Sequence, residues 1–381
     1  MKNTSKIIPC YAADTSGVCS ALYELGGMTV VHDASGCNST YSTHDEPRWY
    51  DKKSRIFISA LTEMDAIMGD DEKLIRDTVS AAKDLAPNFI ALCGSPMPMM
   101  TGVDFEAIAE EVQRRSGVRT FGLRTNGTHS YLKGASQAFL EIVKEFVKEP
   151  TERTKMGVNI LGAMPLDFSA EGTINSIKEW LAEYGFELVS CLAMGSELSD
   201  ISKAAAARVN LVISYSGLAA AQYMNRKFGI PYVCGVPVGR RFSKKLAENL
   251  WLAVQEQQSL YTCADRRTDE EGVQVIGESI FAGSLAAAFT MDMGRYARVI
   301  CPLDTDISLL AKGDLDISAE EDIEKALNGG GTDGVAADPM YRYISPENAE
   351  FFETPHFAFS GRCYQKKALD LINKPIGEIF E

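Results

Sequence analysis

Residues 72–125 read EKLIRDTVSAAKDLAPNFIALCGSPMPMMTGVDFEAIAEEVQRRSGVRTFGLRT, and their rhythm decides the fold class. EKLIRDTVSAAKDLAP (72–87) carries apolar residues at helical spacing and ends at a proline. NFIALCG (88–94) is a short apolar run of the length of a buried strand. FEAIAEEVQRRSG (105–117) is helical again and closes on a glycine, and VRTFGLRT (118–125) is a second strand. Strands that alternate with helices predict a parallel sheet wrapped by helices.

The same rhythm extends outward. MTVVHD (28–33) and RIFISAL (55–61) read as earlier strands of this sheet. The polar stretch KEPTERTK (148–155) breaks the pattern and predicts a linker. A second series follows: KMGVNILGAM (155–164), the helix GTINSIKEWLAEYG (172–185), FELVSCLAMG (186–195), an Ala-rich helix ISKAAAARV (201–209), NLVISYS (210–216), a helix to Phe228, and IPYVCGVPVG (230–239). After Arg266 a third series has strands GVQVIGES (272–279), ARVICPL (297–303) and GVAADP (334–339). Helices are expected at SLAAAFTMDMG (284–294) and SAEEDIEKALN (318–328), and in the tail to about Asn373. The expected division is 1–150, 151–265 and 266–381, three doubly wound α/β units with parallel sheets. That is a fold statement, and this fold hosts many chemistries.

The chain has 381 residues, 45% of them hydrophobic, and a formal net charge of −14. So acidic a surface repels phosphate backbones, which argues against a nucleic-acid partner. MKNTSKIIPC lacks the apolar core of a signal peptide, and no run approaches about 18 apolar residues. A cytoplasmic chain with no membrane contact is expected. No GxGxxG follows a strand, and GxxxxGK[ST], HExxH and GxSxG are absent, so no nucleotide site of its own is expected.

Nine cysteines in a reducing compartment call for a reading other than disulfides. No CxxC pair suggests zinc. Cys191, Cys234, Cys263 and Cys301 lie in or beside apolar runs and read as small core residues. Cys37 and Cys93 are each placed just past a strand of the first sheet, where residues of a parallel sheet share one crevice. Cys10 can join them from the amino-terminal arm. Three thiolates flanked by Gly36 and Gly94 suit an iron–sulfur centre, with glycine amides free to approach sulfide. Inert buried thiols are the competing reading. Cys19, inside a helix, reads as core.

The stretch from Cys10 to Cys37 resembles the opening of nitrogenase component 1 proteins: the molybdenum–iron protein chains, their scaffold paralogues and the dark-operative chlorophyll-pathway reductases. The family's "HGxxGC" turn is similar to His32-Asp33-Ala34-Ser35-Gly36-Cys37. LTEMDAIMGDDEKL (61–74) resembles the following motif, with Glu63, Asp65, Gly69, Lys73 and Leu74 in register. Cys93 followed by Gly102 and Asp104 resembles the third signature. NLVISYSGLAAAQYMNRKFGIPYVCGVPVG (210–239) looks like the family's second-domain segment.

The resemblance implies a nitrogenase component 1-like fold of three Rossmann-like domains. It implies a dimer with itself or with a paralogue, and electrons from a separate ATP-hydrolysing iron protein. It implies Cys10, Cys37 and Cys93 as ligands of a 4Fe-4S or larger shared cluster. Glu63 and Asp65 would lie near the cluster or the partner's docking face, although both also suit a solvated helix cap. Where the family's molybdenum cofactor has a second-domain cysteine, this chain has Ser214 beside Tyr215, and a serine is a poor ligand for soft iron. His356 is the third domain's sole histidine. Ser214, Tyr215 and His356 are therefore candidate cavity residues for another substrate. Three functions are weighed: a nitrogenase-like reductase subunit, a cofactor-assembly scaffold, and a metal-free small-molecule binder.

Overall fold

The computed structural model describes residues 5–380, apart from Pro9, 35–45, Ser54, 170–171, 267 and 269–271. Three sheets, parallel in every pairing between named strands, follow one another along the described chain. The first comprises β1 (Met28–His32), β2 (Ile56–Ile58), β3 (Ile90–Gly94) and β4 (Thr120–Gly122), in the order β2-β1-β3-β4. Its helices are α1 (Asp14–Leu22), α2 (Glu63–Met68), α3 (Asp71–Leu85), α4 (Pro96–Thr101), α5 (Phe105–Ser116) and α6 (Tyr131–Phe146).

Period-two alternation divides this sheet's side chains between two faces. Met28, Val30, Ile90 and Leu92 pack with Leu74, Ile75 and Ile108 of α3 and α5. Val31, Ala91 and Cys93 belong to the opposite core, with Val18 and Cys19 of α1 and Leu132, Ala135 and Phe139 of α6. On α6 the buried Leu132, Ala135, Phe139, Ile142 and Val143 recur at helical spacing. Each such large apolar side chain gains about 1.5–3 kcal/mol from leaving water.

The second sheet, β6-β5-β7-β8, has β5 (Gly157–Leu161), β6 (Glu187–Cys191), β7 (Val209–Val212) and β8 (Tyr232–Cys234). Its helices are α7 (Thr173–Glu183), α8 (Leu198–Ile201), α9 (Leu218–Phe228) and α10 (Arg240–Glu256). The third, β11-β10-β9-β12-β13, has β9 (Gly272–Ile276), β10 (Ala297–Cys301), β11 (Leu315–Asp316), β12 (Thr332–Ala337) and β13 (Glu350–Glu353). Helices α11 (Ser279–Met293), α12 (Glu320–Asn328), α13 (Phe357–Ser360) and α14 (Ile376–Ile379) belong to it. No described helix is long and apolar enough to cross a membrane.

Two helix expectations need correction. Of 201–209 only Ile201 is α-helical, as the last residue of α8, and Ala204–Ala206 form a 3-10 turn, because β7 begins at Val209 and Ala207 must already be extended. The tail is not helical to Asn373. Its backbone pairs with 237–239, between β8 and α10, instead: Gly239 N–H donates to Leu371 O (3.2 Å) and Asn373 N–H to Pro237 O (2.8 Å). Backbone groups spent on that pairing cannot close helical turns.

A buried ion cluster fastens 46–52 to α1 and to the loop after β6. Arg48 meets Glu46 at 2.6 Å and Glu24 at 2.8 Å, and donates to Ser20 O at 2.7 Å and Ala193 O at 2.8 Å. Arg362, just past α13, donates to Glu46 O at 3.1 Å.

Candidate functional site at the three-domain junction

The cysteine crevice comes first. Cys37 and Gly36 lie outside the described residues. Cys93 is the fourth residue of β3 rather than a loop residue past it. The strand alternation therefore turns its sulfur toward α1, where it is fully buried. The hydrogen bond with Cys19 and then burial push its pKa up, and the thiol also lies 3.8 Å from Val30 O. Its sulfur is enclosed among the side chains of α1, and to ligate a metal it would have to lose that enclosure and its proton. Gly94 amide does not face open space either: it donates to Thr125 Oγ1 at 2.8 Å. The glycine is needed because a Cβ there would fall 2.5 Å from the Phe105 ring.

Cys10 sits elsewhere. The arm that carries it runs beside the start of α6, with Tyr131 N–H donating to Ala12 O and Asp14 N–H to His129 O. The half-buried Cys10 thiol donates to Ala358 O at 3.3 Å, on α13. Burial, with Asp167 and Asp304 adding to it against a bond to Ala12 O, raises it to about 12. Its placement at a domain edge fits a ligand once deprotonated by a metal.

Glu63 and Asp65 lie on a short helix absent from the sequence reading, α2. Asp65 closes a capping box with Thr62 and pairs with Lys73 at 2.6 Å. The Lys73 and Thr62 hydrogen bonds hold its carboxyl down at about 2. No residue of α2 is buried.

What the fold does converge is a set of ionisable side chains just beyond the carboxyl ends of strands, where open parallel sheets present their sites. Tyr131, which begins α6, donates its hydroxyl to Asp167 Oδ1 beyond β5. His356, beyond β13, holds Nε2 3.3 Å from the same oxygen. His356 N–H donates to Asp338 Oδ2 at 2.8 Å, at the end of β12, which also accepts from Ser360 Oγ. Glu278, after β9, accepts from Tyr215 N–H (2.9 Å), Ile280 N–H (3.1 Å) and Phe281 N–H (2.9 Å). Asp304, after β10, accepts from Ser130 Oγ at 2.6 Å. Burial, and then Asp167, push Glu278 up to about 7. Burial raises Asp338, and burial followed by Asp167 raises Tyr131.

The candidate cavity residues divide. His356 belongs to this junction, and Tyr215 reaches it through its backbone. Ser214 does not line it as an open group: its fully buried hydroxyl accepts from Ser216 N–H and lies 3.0 Å from Ser216 Oγ. Asp167, Glu278, Asp304, Asp338 and Tyr131 were not singled out from the sequence. A signal was present: GAMPLD, VIGE, CPLD and VAAD each place an acid just after an apolar run.

The family model for nitrogenase component 1 type oxidoreductases matches residues 16–282. The nitrogenase iron-molybdenum cofactor biosynthesis protein NifE of Clostridium pasteurianum is 26% identical over 179 residues, 46% of this chain and 38% of that protein. The nitrogenase molybdenum-iron protein alpha chain of Methanosarcina barkeri is 23% identical over 201 residues, 50% of this chain and 36% of that one. A light-independent protochlorophyllide reductase subunit from Prosthecochloris aestuarii is 27% identical over 152 residues, 39% and 28% of the two chains. Each match thus spans well under half the curated relative's length. In fold, the chain superposes on a solved structure, nitrogenase Cp1 at pH 6.5, with a TM-score of 0.70 and 13% identity, covering 100% of this chain and 92% of that one. With more than half its length matched by the family model, the chain belongs to the nitrogenase component 1 type oxidoreductase family.

Proposed function

We propose that the chain is part of a nitrogenase-like reductase. It takes low-potential electrons from an ATP-hydrolysing iron protein, through an iron–sulfur cluster, and reduces a small molecule at the three-domain junction. Cys10 and Cys37 hold the cluster. The remaining ligands come from Cys93, if β3 releases it, or from a second chain, identical or paralogous. The cluster supplies one-electron transfer. Residues Asp167, His356 and Tyr131 bind and orient, and the buried acids beside them hold protons.

One observation carries this reading beyond family membership. The Cys10 thiol rests on Ala358 O, two residues from His356, so the arm and the buried acid–histidine pair adjoin. An assembly scaffold is the second reading. It is favoured by Ser214, whose hydroxyl is spent on its own turn and offers no soft ligand in the second domain.

Iron and acid-labile sulfide per chain, measured after anaerobic purification, test the ligand set. Cys10→Ala and Cys37→Ala are expected to lose at least half of the iron. Cys93→Ala separates the two ligand sets: retained iron leaves Cys93 in the core, and lost iron returns it to the cluster. An iron-free wild type would leave a metal-free binding protein.

A further inference from the structure

We infer that the arm from Lys6 to Ala13 is a strap that opens to present Cys10 for metal loading, and that Glu320 is the positioning residue that latches it. Its purpose rests on Cys10 as a cluster ligand, whereas the strap and its latch are read on the metal-free chain. Glu320 begins α12. Its carboxylate accepts from two successive backbone donors of the arm, Lys6 N–H at 2.8 Å and Ile7 N–H at 2.9 Å. Lys6 Nζ adds an ion pair with Glu324, one turn further along the helix, at 2.6 Å. Hydrogen bonds to an ionised acceptor are stronger than those between neutral groups, so this carboxylate is a firm anchor. Ile7 enters the core at 3% exposure, whereas Ile8 beside it is 64% exposed.

Between that anchor and α1 the arm is lightly held. Tyr11 N–H donates to Ala358 O at 3.2 Å, and the Cys10 thiol shares the same oxygen at 3.3 Å. The Tyr11 ring lies against Gly361, where an added Cβ would meet its hydroxyl at 3.4 Å. From Ala12 onward the chain is fixed. Tyr131 N–H donates to Ala12 O and Asp14 N–H to His129 O, each at 3.0 Å, and every residue of α1 is buried. The hinge therefore falls at Ala12–Ala13, and the end that releases is the one that Glu320 holds. Segments with few buried apolar contacts open locally without unfolding the rest of the chain. In the closed arm the Cys10 thiol is half-buried and turned toward two backbone carbonyls, those of Ala12 and Ala358. A metal needs that sulfur uncovered and deprotonated. Release at Glu320 uncovers it, and reclosing returns it to Ala358, two residues from His356.

The test is the rate at which iodoacetamide alkylates Cys10 in the full chain, prepared metal-free without oxygen and read by peptide mass spectrometry. Two cysteines of the same chain serve as references: the exposed Cys363 and the fully buried Cys301. In the wild type, Cys10 should react about tenfold or more slowly than Cys363. Glu320→Ala should speed Cys10 by about tenfold or more and leave Cys301 unchanged, because only the strap has been released. Glu320→Gln keeps one accepting oxygen and should fall between the two. Ile7→Ala removes the apolar anchor of the same end, should act in the same direction, and stands in if Glu320→Ala does not fold. A Cys10 rate unchanged in folded Glu320→Ala overturns the inference. So does a rise at Cys10 and Cys301 together, which would make Glu320 a residue of general stability. Iron content is measured separately, so an iron-free chain with a releasable Cys10 would sink the redox reading and leave the latch standing.

Discussion

Gly17→Ala and Gly134→Ala are each expected to destabilise the chain by about 3 kcal/mol or more, and Gly134→Val to prevent folding. These glycines are where α1 and α6 cross. A Cβ on Gly17 would lie 1.8 Å from Tyr131 O, and one on Gly134 would lie 1.9 Å from Asp14 O. Both obstacles are backbone, so neither rotates away, and the helices would have to separate. Asp14, at the start of α1, would then lose its grip on Asn126 and Gly127 N–H, held at 2.9 and 2.8 Å. Denaturant unfolding of the alanine variants checks the magnitude. Gly69→Ala is the comparison: no atom lies within 4 Å of its added Cβ, so only its left-handed backbone (φ 64°) opposes the change. A loss of about 1 kcal/mol is expected there.

Glu278→Ala should cost about 3–5 kcal/mol, for a different reason. Its carboxyl is the buried acceptor for three backbone donors, those of Tyr215, Ile280 and Phe281, and it caps α11. Alanine leaves all three unpaired. Glu278 also sets a pH dependence. Burial and then Asp167 lift it from 4.5 to about 7. Between those values the folded chain keeps a proton that the unfolded chain has released. Stability from this group is therefore greatest at the acid end and falls as pH rises through the window, by at most about 3 kcal/mol. Glu278→Gln retains the oxygen used by Tyr215 and Ile280 but turns an amide toward Phe281 N–H. It should be less stable than wild type at pH 5 and lose that disadvantage by pH 8. Unfolding curves across pH 5–8 read both effects. A wild-type profile without this fall across pH 5–8 would show that Glu278 is ionised in the folded chain throughout.

The sheets were legible because buried parallel strands are uninterrupted apolar runs. MTVVH, IALCG and GVQVI each lie within a stretch read as a strand. Position within a strand was harder to read. One residue decides which face a side chain takes, and placing Cys93 past β3 rather than inside it changed a crevice residue into a core residue. The tail was misread because its helical periodicity was local, whereas its partners at 237–239 lie more than 130 residues away. The junction was legible only in part. His356 stood out by rarity, but Asp167, Glu278 and Asp338 acquire meaning only when three sheets point their carboxyl ends at one another. GAMPLD shows only an acid after an apolar run, and its partners Tyr131 and His356 lie far along the chain.

The central claim is that this chain receives electrons at a cysteine-held cluster. The most direct measurement is low-temperature electron paramagnetic resonance of the anaerobically purified chain mixed with a nitrogenase-type iron protein, dithionite and MgATP. The account predicts a reduced-cluster signal that depends on MgATP and is absent from the Cys37→Ala variant. A chain that carries no iron and gives no signal with or without MgATP would contradict it.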